Sequence, residues 1–193
     1  THIQPHDVWE WVQDPARGRR LVAALGIVDW CVCGFSCQDL STAHGSGKGL
    51  RGEKSGVYFA IRQVLAWLRE FCPEVDFSFE CTVFDRKHPR DWLYVAHDLG
   101  TDAVVIDAQD VAAVRRRRAF WSSFPILPLM PRPARPCKFL EEGRHPLHKY
   151  RHKLPTIVAN GPRSWNQGRV VEEWVEGRWQ VGPLLLSEVE ALM

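Results

Sequence analysis

A mostly parallel, layered α/β sheet followed by a small β-rich lobe is the fold class expected from this sequence. Three observations predict it. Short apolar runs alternate with stretches of helical periodicity as far as residue 124, prolines crowd residues 124–136, and the remainder breaks into short strand-like pieces between turn pairs. Residues 27–35 are an apolar run closed by Gly34 and read as a buried strand, and Gly45, Gly47, Gly49 and Gly52 then mark a flexible loop. Over 55–71 the residues Val57, Phe59, Ile61, Val64, Leu65, Leu68 and Phe71 recur at helical spacing, and Pro73 stops the pattern. Phe59, Trp67 and Phe71 are expected in the core. A second strand is predicted over 75–79, ending at Glu80, then a helix over 90–99 and strands over 102–107 and 118–124. The prolines exclude regular structure and mark a linker, so the boundary is set between residues 1–125 and 126–193. In the second part, 155–159, 170–175 and 178–181 read as strands joined by Asn160-Gly161-Pro162 and Glu176-Gly177 turns. Residues 184–193 are amphipathic and stop in mid-pattern, and Thr1 resembles an interior position, so a fragment at both ends is expected.

With 193 residues, 45% hydrophobic and 25% charged, the composition is that of a globular chain with a sizeable core. No apolar run reaches the roughly 20 residues of a membrane span, and a soluble, intracellular protein is expected. The six cysteines lack framework spacing and read as reduced thiols. Cys31, Cys33 and Cys37 lack a second Cys/His pair at ligand spacing, so no metal site is expected. The net charge of +2 hides an asymmetry: residues 1–114 are acidic, whereas 115–153 carry 11 Lys/Arg against Glu141 and Glu142. A basic block joined to an acidic part is an electrostatic footprint for a polyanion. Arg132, Arg135, Lys138, Arg144, Lys149, Arg151 and Lys153 are the candidates for nucleic-acid phosphate contact.

The sharpest local feature is Cys37. A strand ending at Gly34 and followed by a tight turn pushes the next side chains out at the carboxyl edge of a sheet, where α/β proteins build their sites. Glu80, after the next strand, and the run Arg115-Arg116-Arg117-Arg118 stand at corresponding ends or turns. On a strand, Arg116 and Arg118 would share one face. A thiol, a carboxyl group and an arginine pair suit covalent chemistry on an electron-poor ring.

These residues carry a resemblance. Gly34-Phe35-Ser36-Cys37-Gln38-Asp39-Leu40-Ser41 resembles the catalytic loop of the cytosine-5 DNA methyltransferases. Lys48-Gly49-Leu50, Phe79-Glu80, Asp107-Ala108-Gln109-Asp110-Val111, Arg116-Arg117-Arg118-Ala119-Phe120-Trp121 and Pro125 are similar, in order and spacing, to the de novo branch of that family. The resemblance implies a Rossmann-like, S-adenosylmethionine-dependent methyltransferase fold with a target-recognition lobe. It further implies attack of Cys37 on C6 of cytosine, Glu80 at N3, and Arg116 and Arg118 at the cytosine carbonyl and the loop. Asp7 and Ser36 would be cofactor-binding, DNA would be the partner of a protein nuclear in a eukaryote and otherwise cytoplasmic, and residues 56–72 would be a surface for homo- or hetero-oligomers. Differences from the family pattern are Ser36 for a proline, Cys81-Thr82 for Asn-Val, Val114 for a glutamine, and no Gly-rich cofactor turn ahead of Asp7 or closing segment after Met193. A degenerate DNA-binding or methyltransferase-partner regulator and a transfer-RNA cytosine-5 methyltransferase are the alternatives.

Overall fold

In the computed structural model, residues 7–41, 46–114, 116–127, 140, 142, 144–146, 171–176 and 178–182 are described. They divide into two compact units, Thr1–Ile106 with Arg118–Ile126, and Asp107–Arg117 with Leu127–Met193.

The first unit opens with two helices that periodicity did not announce, α1 (Val8–Gln13) and α2 (Pro15–Ala24). Asp7 caps the first through Trp9 N–H, and Asp14 caps the second through Arg17 N–H with Pro15 in its first turn, so both starts obey ordinary capping chemistry. They pack on α3 (Val57–Phe71). Gly18 is required there, because a Cβ would strike the Trp67 ring and the Trp11 carbonyl. The strands are β1 (Trp30–Gly34), β2 (Asp76–Thr82), β3 (Val104–Asp107) and β4 (Arg117–Ser122), with α4 (Pro89–Leu99) between β2 and β3. Their order is β1-β2-β4-β3.

The protein is therefore α/β, but the expected mostly parallel sheet is corrected. β1 and β2 are parallel, whereas β4 runs antiparallel to β2. Residues 108–116, which join the sheet neighbours β3 and β4, are too few for the crossover of a dozen or more residues that a parallel pair of those strands requires, so the chain turns back between them. Pairing with β4 also lengthens β2: Cys81↔Ala119 and Thr82↔Arg118 carry it past Glu80, which lies within the strand rather than after it.

Alternation along the strands makes two faces. Phe77, Phe79 and Cys81 of β2 and Ala119 and Trp121 of β4 are buried with Phe35, Tyr58, Leu65, Leu68, Phe84 and Val95 in one core. Ring contacts link Phe35, Tyr58, Phe79, Phe84, Trp92 and Trp121 through it. On α3 the expected core residues are only partly right. Trp67 is buried, but Phe59 is 43% and Phe71 48% exposed. Tyr58 takes the inward position, and its hydroxyl donates to Asp98 of α4 at 2.6 Å.

In the second unit, β5 (Arg144–Pro146), β6 (Val171–Val175) and β7 (Arg178–Gly182) form an antiparallel sheet in that order. The strand expected over 155–159 lies outside the described residues.

Candidate functional site

β1 delivers the chain to the candidate site. Phe35 N–H donates to Glu80 C=O at 3.2 Å, extending the β1–β2 ladder by one bond, and the chain then leaves the sheet. The Cys37 carbonyl accepts from Leu40 N–H at 3.1 Å and Ser41 N–H at 2.7 Å, so residues 37–41 close into a helical turn with Cys37 at its start. Its side chain is half-buried, packed at the margin of the core.

Glu80 and Arg118 come together on the face opposite that core. Arg118 Nε stands 2.6 Å from Glu80 Oε1, both partly exposed. The register explains the pair: Arg118 lies two residues along β4 from Phe120, the partner of Glu80, so both side chains emerge on one face. The other carboxylate oxygen lies over Gly34, 3.1 Å from where a Cβ would stand. A side chain at position 34 would crowd the carboxylate.

Cys81 points the other way, into the core, where its thiol donates to the Phe35 carbonyl at 3.6 Å. Burial pushes its pKa up strongly, with a smaller contribution from Cys37, then Glu80, against which Arg118 acts. The Gly34↔Glu80 register sets the Glu80–Arg118 pair beside the carboxyl end of β1, three residues before Cys37. Burial likewise raises Cys31 and Cys33. All three thiols are held protonated, and a protonated thiol is a poor nucleophile.

Ser36 holds a role the sequence did not reveal. Its carbonyl accepts the Ser55 hydroxyl at 2.8 Å, and its own hydroxyl accepts from Gln38 N–H at 3.4 Å. Ser55 is fully buried, and the sequence marks it only as the first residue of the 55–71 helical pattern, with no local signal for a partner in the loop. The N-cap of α3 is Gly56 without a side-chain bond, which leaves the Ser55 hydroxyl for the loop.

Asp7 is exposed, one carboxylate oxygen engaged by Trp9 N–H at 3.0 Å. Arg116 lies one residue ahead of β4 and belongs to the second unit; its N–H donates to the Asp107 carboxylate at 3.0 Å. Arg144, expected at a phosphate-facing surface, is instead buried, with its guanidinium 3.7 Å from Glu173 on the paired strand. Arg132, Arg135, Lys138, Lys149, Arg151 and Lys153 lie outside the described residues.

Among the described residues no three His, Cys, Asp or Glu side chains are grouped to hold a metal ion, and no helix is long and apolar enough to cross a membrane. No protein-family model matches the chain, and no curated protein matches it.

Proposed function

We propose that the protein is a DNA cytosine-5 methyltransferase with Cys37 as its covalent nucleophile. The observation that carries this reading is the Arg118–Glu80 pair, aligned at 2.6 Å beside the end of β1 from which the Cys37 turn departs. A carboxyl group fixed by a guanidinium is suited to a planar ring that offers a ring nitrogen and an amino group, and a thiol at the adjoining turn is suited to the neighbouring carbon. Of the five described cysteines, Cys37 alone stands on a turn at the strand's carboxyl end, whereas Cys31, Cys33 and Cys81 lie within strands and are raised by burial.

The cytosine is taken from the stack, because C6 is out of reach inside a duplex. Cys37, its proton given up to water, bonds through sulfur to C6 as the ring π electrons shift and N3 takes a proton delivered by Glu80, which relieves negative charge on the ring and makes C5 an enamine-like carbon. After methyl transfer to C5, the C5 proton leaves to water, the C6–S bond breaks with its electron pair on the Cys37 sulfur, and the N3 proton returns through Glu80, which restores the ring. S-adenosylmethionine supplies the methyl group when bound, and Asp7, exposed beside its cap bond, offers a carboxylate suited to the adenine end. The Ser36 carbonyl fits that region less well, since Ser55 already occupies it.

The test is a covalent trap. Full-length protein is incubated with S-adenosylmethionine and a duplex containing 5-fluorocytosine, which blocks release of the adduct. A protein–DNA adduct absent from Cys37→Ala is expected. DNA binding without an adduct supports the regulatory alternative, and methylation of transfer RNA but not DNA overturns the substrate assignment.

A further inference from the structure

We infer that Ser55 and Asp39 form a clamp that sets the presentation of Cys37, with Ser55 a positioning residue for the reacting thiol. The inference rests on Cys37 being the reactive group and deepens the reading above.

Four hydrogen bonds join the Cys37 turn to the residues that lead into α3, and a fifth ties it to Gly49. The Ser55 hydroxyl donates to Ser36 C=O at 2.8 Å and accepts from Asp39 N–H at 3.1 Å. The Asp39 carboxylate in return accepts from Lys54 N–H at 3.0 Å and Ser55 N–H at 3.1 Å. The Asp39 carbonyl accepts from Gly49 N–H at 3.2 Å. Cys37 is thus bracketed, with the residue before it and the second residue after it tied to one buried hydroxyl. The backbone is shaped to the clamp: a Cβ at Gly52 would collide with the Asp39 carboxylate, and one at Gly47 with the Asp39 carbonyl. Such reciprocal bonding, centred on one fully buried hydroxyl, holds a turn in one conformation. It supplies by side-chain bonding the restraint that a proline at position 36 would supply through a fixed φ.

The test is the alkylation rate of Cys37 by iodoacetamide, read by peptide mass spectrometry and divided by the rate at Cys72, a half-buried thiol at the far end of α3. General loosening raises both rates, so the ratio isolates the turn. Ser55→Ala is expected to change the ratio about fivefold, the equivalent of one lost hydrogen bond, and to speed exchange of the Asp39 amide. Ser55→Thr, which keeps the hydroxyl, is expected to return the ratio to within about twofold of wild type. An unchanged ratio in Ser55→Ala, or no rescue by Ser55→Thr, overturns the clamp. These readouts need neither DNA nor cofactor. A wild-type protein that forms no 5-fluorocytosine adduct while the ratio responds would sink the methyltransferase reading and leave the clamp standing.

Discussion

Cys81 and Cys37 face different surroundings, and the difference is one of burial. Cys81 is 1% exposed and, like Cys33, is held in its neutral form by desolvation. That has a consequence for stability. A thiol whose pKa is raised by folding contributes stability that is complete below its ordinary value of about 8.5. Above that value the unfolded chain releases the proton and the folded chain retains it, so stability falls as pH rises. The urea midpoint is therefore expected to decline from pH 8.5 to 10, each such thiol contributing up to about 1.4 kcal/mol per pH unit. Cys33→Ala should flatten the decline, and an unchanged slope would count against burial of the neutral thiol. Arg118 acts on the opposite face. Arg118→Ala removes the partner that orients Glu80, and the expected result is a loss of the trapped adduct of at least about tenfold with DNA affinity nearly unchanged. Equal losses in both would place Arg118 in binding instead.

At the scale of elements, α3 shows how a helical pattern can be recognised and its buried face still misjudged. Apolar spacing announces the helix, yet Phe59 and Phe71 face outwards while Tyr58 is fully buried. The Tyr58 hydroxyl reaches Asp98, which also pairs with Arg62 at 3.0 Å, and this polar knot between α3 and α4 makes burial of the phenol tolerable. Three substitutions separate the roles. Leu65→Ala is expected to cost about 2–5 kcal/mol, as for other fully buried leucines. Tyr58→Phe should cost about 1–3 kcal/mol because Asp98 loses a donor, and Phe59→Ala, which loses only edge contacts with Tyr58 and Tyr94, should cost about 0.5–1.5 kcal/mol. Urea unfolding of the three variants gives the ranking directly. A large loss for Phe59→Ala would show that the outward face is covered in solution.

At the scale of the whole molecule, charge is unevenly divided, with 11 Lys/Arg in residues 115–153. If that block contacts phosphate, Lys149→Gln and Arg151→Gln should each lower the salt slope of DNA binding by about one unit. Fluorescence titration from low to high salt measures this, and an unchanged slope would place DNA elsewhere. Arg144→Gln should behave differently, costing about 1–3 kcal/mol of stability through its lost pairing with Glu173, because Arg144 is buried. From the sequence alone came the alternation of strands and helices, the turn at Cys37, Glu80 at the end of one strand and Arg118 at the start of a later one, all carried by local periodicity and turn residues. What only the tertiary structure decided were the antiparallel return of β4, the Glu80–Arg118 contact, the inward burial of Arg144, and the closure of the Cys37 turn by Ser55. Each depends on which residues distant in sequence become neighbours, and local pattern carries no information about that.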